Sequence, residues 1–120
     1  MDPLAVNAGE MVDDIVRFGE AGWKERYYYA KFAVELGDWA FTKAITTAYI
    51  QGLCWVLLYY YRGCPDWAFY YPYHYAPFAS DFTRIGSLTL SFAVDSQPLT
   101  PLEQLMGVLP PASAKVVEVF

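Results

Sequence analysis

Aspartates are the side chains in this 120-residue sequence whose type could support metal-dependent hydrolysis. Hydrolysis of a phosphodiester by two divalent ions needs several carboxylates that converge on one point. Asp66 and Asp81 lie fifteen residues apart across a proline-rich stretch, and Asp13 and Asp14 are neighbours that cannot share one helix face. Neither a D-x-D nor an E-x-E pattern occurs. The sequence therefore predicts no catalytic residue and no metal site in this chain.

His74 is the only histidine and the next candidate for chemistry. A zinc site would need it together with Cys54, Cys64 and a fourth ligand, and a nucleophile–base pair would need Ser80 or a cysteine beside it. Because neither set has diagnostic spacing, we interpret His74 as a hydrogen-bonded structural residue, with a nucleotide contact as the alternative. The two cysteines lie too far apart for a disulfide if residues 39–62 are helical, and free thiols are typical of a reducing, intracellular compartment.

Aromatic rings are concentrated in the middle of the chain. Three successive tyrosines at 59–61 are followed by a loop, residues 64–77, that contains three prolines. Rings at this density indicate either a core packed from both sides or a platform on which planar groups stack. We interpret most of them, including residues 59–61 and Tyr70, as core residues, and one or two as recognition residues. The prolines stiffen the loop, so a recognition ring would lose little entropy on binding.

The spacing of apolar residues predicts a mostly α-helical fold, a small helical domain or fragment over residues 1–120. A short helix is expected over 11–18. A second helix is expected over about 23–36, where it would be followed by a glycine stop.

The longest predicted element is a helix over about 39–62, with Asp38 as its N-cap and Gly63 as the left-handed residue after its end. Residues 44–61 form 18 positions without a charge, long enough to be weighed as a membrane span. Polar residues within this run, and tyrosines at 59–61 that point around most of the helix, favour instead a buried central helix packed on all sides.

Short helices are expected in the C-terminal part of the chain. Pro77 can start one that continues to Phe82. Thr100 and Glu103 have the spacing of a capping box with proline at the first helical position, and they predict a helix of one to two turns that ends at Gly107.

Composition limits the range of functions. With a net charge of −5 the chain lacks the basic face of a free-standing nucleic-acid binder, and Lys24, Arg26 and Lys31 alternate with glutamates as on a solvated helix face. Hydrophobic residues make up 56% and aromatic residues 19% of the sequence. A chain this small cannot bury all of these side chains, so we expect an exposed apolar patch of the kind that marks a contact surface.

Four blocks of the sequence resemble the second conserved region of the Xrn-type 5′→3′ exoribonucleases, in the family's order and with similar spacing. They are GWKERYY at 22–28, YIQGLCWVL at 49–57, YYYRGCPDWAFYYPYHYAPFASDF at 59–82 and PLEQLMGVLPPAS at 101–113. The resemblance extends over about 19–113. FASDF and PLEQLMGVLP are more similar to the nuclear branch of the family than to the cytoplasmic one.

The resemblance implies a role in enclosing an active site. In this family the second region is mostly helical and walls the pocket, so that only single-stranded RNA with an accessible 5′ end enters. The acidic two-metal centre and its Mg²⁺ belong to the first region, which the resemblance does not cover. An aromatic residue of the family motif W-x-W-Y-Y-P stacks on nucleotides, and Phe69 stands here in place of the second tryptophan. The implied nucleotide contacts are Phe69, Trp67 and His74, and the implied structural anchors of the loop are Tyr70, Tyr71, Pro72, Tyr73, Tyr75 and Pro77.

We therefore predict a non-catalytic helical region, a fragment or degenerate copy that is inactive alone and binds no cofactor itself. Its expected partners are the catalytic first region and, in the assembled enzyme, 5′-monophosphorylated single-stranded RNA. The expected location is intracellular, in the nucleus more than in the cytoplasm. The family usually has Glu where Gln51 stands, which predicts the loss of an ion pair with the catalytic region. The alternatives are a small aromatic-rich protein-interaction module and a single-span membrane protein.

Overall fold

The fold is helical. A computed structural model describes residues 14–35 and 37–113. No strand occurs among these residues, so the predicted mostly α-helical class is confirmed. The described chain forms the α-helices α1 (Trp23–Phe32), α2 (Trp39–Arg62) and α3 (Pro101–Val108), and the single-turn 3₁₀ helices Ala79–Asp81, Ile85–Ser87 and Pro111–Ser113.

The chain divides into two compact units, Met1–Ala44 and Ile45–Phe120. The first contains α1, and the second contains the aromatic loop at 64–77 and α3. A single domain over residues 1–120 stays a prediction.

The segment before α1 is held by one arginine. The Arg26 guanidinium donates to the backbone oxygens of Ala21 (2.7 Å), Val16 (2.9 Å), Arg17 (3.2 Å) and Glu20 (3.3 Å). Its rigid fork of N–H donors suits such a set of carbonyls. Arg26 therefore binds the segment before α1, a role that the alternation of charges did not predict.

The described part of the predicted helix over 11–18 is a series of turns. Arg17 and Gly19 have φ angles of 51° and 94°, and these left-handed conformations interrupt a right-handed helix. Residues 11–13, where the predicted helix would begin, lie outside the described residues.

The first helix, α1, is about one turn shorter than predicted. Ala33 has a φ of 54° and its N–H donates to the Tyr29 carbonyl at 2.9 Å, which ends the helix at Phe32 rather than near residue 36. On its inner face Tyr28 is buried, and the ring of Tyr28 lies 5.8 Å from that of Phe32.

The long helix, α2, has the bounds that the sequence predicts. Asp38 caps its start, because a carboxylate oxygen accepts the Phe41 N–H at 3.0 Å. Gly63 follows its end with a φ of 88°, and its N–H donates to the Tyr59 carbonyl at 3.1 Å.

This helix is not packed on all sides, and the prediction of burial on every face is wrong. Ile45 and Thr46 are buried, but Tyr60 and Tyr61 are 80% and 81% exposed. The described elements of a chain this short are too few to cover every face of a 24-residue helix. None of the helices in the described ranges combines the length and the apolar character needed to cross a membrane.

The capping box of α3 forms as predicted. Thr100 Oγ1 accepts the Glu103 N–H at 3.4 Å, and the Glu103 carboxylate accepts the Thr100 N–H at 2.8 Å. The helix continues one residue beyond Gly107. Of the short helix expected from Pro77, only the 3₁₀ turn Ala79–Asp81 is present.

Candidate nucleic-acid interface

The aromatic loop, residues 64–77, packs against α2 through ring contacts. Phe69 stacks on Trp55 with ring centres 6.2 Å apart and planes 20° from parallel. Tyr71 meets Tyr49 edge to face at 5.7 Å, with the planes at 89°. Because the two contacts are six residues apart on α2, the loop lies along the helix and does not project from it.

Trp55 supports Phe69 and is itself fixed by two contacts. Its ring is nearly parallel to that of Tyr59, one turn further along α2, at 5.3 Å and 5°. Its indole Nε1–H donates to the backbone carbonyl of Asp66 at 2.9 Å. An indole held at both its face and its polar atom makes a rigid support for the neighbouring ring.

Asp66 joins two segments of the chain and is only 8% exposed. Its Oδ1 accepts the Ala68 N–H at 2.9 Å, and its Oδ2 accepts the Ala93 N–H at 3.1 Å. Hydrogen bonds from these two backbone groups, and to a lesser extent from the Ser96 hydroxyl, hold the pKa of Asp66 below its ordinary value, although burial acts to raise it. A carboxylate engaged in this way by backbone donors is not placed to bind a metal ion.

Segment 91–96 is an irregular stretch that contacts both α2 and the aromatic loop. The Gln51 side-chain amide donates to the Ser91 carbonyl at 2.8 Å. The ring of Phe92 meets that of Phe69 edge to face at 5.8 Å, with the planes at 79°. Gln51 therefore ties α2 to this segment, and the predicted loss of an ion pair at this position stays a prediction.

Two hydrogen bonds join segment 91–96 to the start of the aromatic loop. One is the bond from the Ala93 N–H to Asp66. The other runs from the Trp67 N–H to the Ser96 hydroxyl at 2.8 Å. They hold the segment next to the chain that carries Phe69.

A groove of about 420 Å³ lies between α2 and the aromatic loop. Its walls are largely apolar, and its lining consists of Tyr49, Gly52, Leu53, Trp55 and Val56 from α2 and Phe69, Tyr70 and Tyr71 from the loop. Gly52 adds no side chain to it, and a Cβ built there would lie 3.8 Å from the ring edge of Phe69. A concave apolar site of this kind suits a planar aromatic group.

The three predicted nucleotide contacts lie in different environments. Phe69 is half-buried and lines the groove. Trp67 is 56% exposed, and His74 is exposed. The structure thus brings Phe69 to the groove, and the binding roles of all three residues stay predictions.

Several of the predicted anchors make contacts within the loop. The Tyr71 hydroxyl donates to the Tyr75 carbonyl at 2.7 Å, and its ring lies 5.5 Å from that of Tyr73. Pro77 is buried at the end of the loop. These contacts are local to the loop and to its border with α2.

Other predicted anchors and core rings are exposed. Tyr70 is 74% exposed, and Pro72 is also exposed. The tyrosines at 59–61 are exposed as well. The interpretation of these tyrosines and of Tyr70 as core rings is wrong, because the described elements are too few to cover all four side chains. The anchoring roles stay predictions.

The exposed face of α2 forms a second surface, the α2 stripe, which consists of Leu53, Val56, Leu57 and Tyr60. These residues have the spacing i, i+3, i+4 and i+7, so they share one face of the helix. Leu53 and Val56 also line the groove. The composition led us to expect an exposed apolar patch, and the stripe is one.

The described residues do not fit a bound Mg²⁺ ion. They contain no group of three or more His, Cys, Asp or Glu side chains that could hold a metal. Cys54 and Cys64 are free thiols, each half-buried.

Sequence reasoning missed the structural role of Asp66, which it weighed only as a metal ligand. Aspartate after proline is a turn signal, and its carboxylate commonly accepts the N–H two residues further on. That rule predicts the bond to Ala68. No local pattern predicts the bond to Ala93, which lies 27 residues away.

Comparison with known proteins shows similarity over nearly the whole chain. The family described as "Xrn1 helical domain" matches residues 5–119. The chain is 54% identical over 101 residues to the 5′-3′ exoribonuclease 2 of Gallus gallus, and the alignment covers 84% of this chain and 11% of that protein. It is 53% identical over 105 residues to the 5′-3′ exoribonuclease 2 homolog of Drosophila melanogaster, covering 88% of this chain and 12% of that protein. The chain therefore spans about a ninth of the length of these curated relatives.

Proposed function

The chain belongs to the Xrn1 helical domain family, and from this membership we propose that it is the helical region of a 5′→3′ exoribonuclease acting on single-stranded RNA with a 5′ monophosphate. The curated relatives named 5′-3′ exoribonuclease 2 support this proposal. In the proposed enzyme, hydrolysis and Mg²⁺ binding belong to the catalytic first region, and this chain contributes pocket wall and stacking surface. The likeness to the nuclear branch supports a location in the nucleus.

The observation that carries the proposal is the place of Phe69. The ring is half-buried, lines the groove and rests on Trp55, which is fixed by a ring stack and a hydrogen bond. Stacking of a base on an aromatic side chain contributes about 1–3 kcal/mol by alanine substitution. A ring that is already held loses little entropy on binding. Single strands, whose base faces are free, are favoured over duplexes at such a site.

The proposed partner is the catalytic region of the same enzyme, and it covers the α2 stripe. The chain spans 11% of the length of the Gallus gallus relative, so most of such an enzyme lies outside it. Apolar patches of this kind on a protein surface mark contact sites. Because Leu53 and Val56 belong to both the stripe and the groove lining, a partner on the stripe also closes one side of the groove.

The test exchanges this chain for the corresponding region of a related 5′-3′ exoribonuclease and changes Phe69 in the resulting chimera. Phe69→Ala should weaken binding of 5′-phosphorylated single-stranded RNA about fivefold or more and shorten processive runs, since a stacking contact is lost. Phe69→Trp should retain or improve both, because an indole presents a larger face. The matched control is Phe82→Ala, which removes a half-buried ring of the same size that packs on Tyr49 at 5.6 Å.

Stability is measured beside RNA binding, because Phe69 also touches other rings. If Phe69→Ala leaves RNA affinity and processivity unchanged but lowers the free energy of unfolding as much as Phe82→Ala does, Phe69 is a core residue. The stacking assignment is then abandoned.

A free-standing protein-interaction module is the second candidate function, favoured by the exposed α2 stripe. In that case the isolated chain is a stable, monodisperse monomer and does not restore activity to a related enzyme that lacks its helical region. If the chain is instead the helical region of an exoribonuclease, the isolated chain self-associates, and co-expression with the catalytic region improves its recovery.

A further inference from the structure

The Phe69 ring has neighbours from two parts of the chain that are far apart in sequence. One neighbour is Trp55 of α2, and the other is Phe92 of segment 91–96. Segment 91–96 forms no helix or strand. Its position therefore depends on bonds to other segments, and these bonds also set where Phe92 lies against the Phe69 ring.

The Asp66 side chain links the loop to this segment. Its two oxygens accept N–H groups from Ala68, in the loop, and from Ala93, next to Phe92. A carboxylate can accept at both oxygens, whereas an asparagine presents one oxygen and one N–H₂ donor. Asparagine would keep the bond to Ala68 and set a donor against the Ala93 N–H.

We infer that Asp66 is a positioning residue, which sets the place of Phe69 in the groove wall by joining the aromatic loop to segment 91–96. Asp66 lies three residues before Phe69 and is almost completely buried, so its bonds are shielded from water. The further ties of the segment, from Gln51 to Ser91 and from Trp67 to Ser96, act at its two ends. As a statement about RNA, the inference rests on the proposed function.

The test places a single 4-fluorophenylalanine at residue 69 in the chimeric enzyme. Asp66→Asn should shift or broaden the ¹⁹F signal and weaken RNA binding about fivefold or more, toward the level of Phe69→Ala. Asp95→Asn is the matched control, because it removes the same charge from an exposed position of segment 91–96. It should leave the signal and the affinity unchanged. Phe92→Ala calibrates the shift that follows when the neighbouring ring is removed.

A second variant, Asp66→Ser, guards against a folding defect in Asp66→Asn. The serine hydroxyl can still accept the Ala68 N–H, but it is too short to reach Ala93 as well. An unchanged ¹⁹F signal in a folded Asp66 variant overturns the inference. Failure of both variants to fold, while Asp95→Asn folds, shows a purely structural role and also overturns it.

The RNA readout separates this inference from the proposed function. Asp66→Asn could move the ¹⁹F signal while neither Asp66→Asn nor Phe69→Ala changes RNA affinity. In that case Asp66 does position Phe69, but the proposed function fails. If Phe69→Ala weakens binding and Asp66→Asn does not, the role of Asp66 in RNA binding is refuted.

Discussion

Trp55 and Asp66 are joined by a 2.9 Å hydrogen bond from the indole Nε1–H to the backbone carbonyl, across eleven residues of sequence. Because the acceptor is the backbone oxygen, both side-chain oxygens of Asp66 remain for Ala68 and Ala93. One residue thus connects α2, the aromatic loop and segment 91–96, each through a different oxygen atom. The Phe69 ring contacts the rings of both Trp55, from α2, and Phe92, from segment 91–96.

Trp55→Phe should lower the free energy of unfolding of the chain by about 1–3 kcal/mol, because the Asp66 carbonyl loses its donor. Urea unfolding followed by circular dichroism measures the change. Trp67→Phe is the control, since the Trp67 side chain is exposed and a surface substitution of this kind should change stability by about 0.5 kcal/mol or less. If Trp55→Phe and Trp67→Phe lowered the free energy of unfolding equally, the hydrogen bond of the Trp55 indole would contribute nothing to stability.

Acid should remove the stabilisation that Asp66 provides. Backbone N–H groups, those of Ala68 and Ala93 first, lower its pKa from the ordinary value of 3.8. A native pKa below the unfolded value means that the contribution is complete above about pH 5 and is lost as the pH falls through the unfolded and then the native pKa. The difference in unfolding free energy between the parent chain and Asp66→Asn should therefore shrink between about pH 5 and about pH 3. A difference that stays constant over this range would contradict the argument.

Leu57→Arg, a charge on the α2 stripe, should raise the solubility of the isolated chain and reduce its co-purification with a catalytic region. A charge cannot be buried in an apolar interface without a partner. Val94→Arg is the matched control, an exposed apolar residue outside the stripe. Light scattering and co-purification measure the two effects. If both variants co-purify as the parent does, the stripe is not the docking surface.

Arg26→Lys should destabilise the segment before α1 by about 1–2 kcal/mol, because an ammonium group cannot reproduce a guanidinium fork that serves four carbonyls. Limited proteolysis within residues 14–22 reports the loosening. Arg17→Lys keeps the charge of an exposed ion pair with Glu20, 3.4 Å apart, and should have little effect. Identical cleavage rates in the parent and Arg26→Lys would refute the role of Arg26.

The isolated chain should show no exonuclease activity with Mg²⁺. Two-metal hydrolysis needs converging carboxylates, and the described residues contain no such cluster. The assay uses 5′-phosphorylated single-stranded RNA and repurified protein. Mg²⁺-dependent release of mononucleotides that survives repurification would overturn this prediction.

Helix ends were predictable wherever a polar side chain caps them. Asp38 and Thr100 each accept an N–H three residues further on, a rule that needs no tertiary information. The end of α1 was not predictable, because Ala33 adopts a left-handed conformation without the glycine that usually signals it. The burial of α2 was overestimated because apolar content says how much surface could be buried, not how many elements are present to cover it.

The candidate site was predictable as a stretch of sequence but not as an arrangement. The density of rings in the aromatic loop predicted a site there, and the motif singled out Phe69, which lines the groove. The bonds that hold the site cross 27 residues from Asp66 to Ala93 and 29 from Trp67 to Ser96. Contacts between residues this far apart produce no periodic pattern in the sequence. The partners of Asp66 and Trp67 in segment 91–96 could therefore not be predicted.

The hydrogen bond of Gln51 couples two positions that are distant in the sequence. Its amide donates to the Ser91 carbonyl 40 residues away, whereas a glutamate has no proton to donate at neutral pH and would set two acceptors against each other. A glutamate at position 51 would therefore lower the free energy of unfolding of the chain, because the bond to Ser91 would be lost. The residue at position 51 and the path of segment 91–96 therefore form an epistatic pair, in which a change at one alters the free-energy cost of a change at the other.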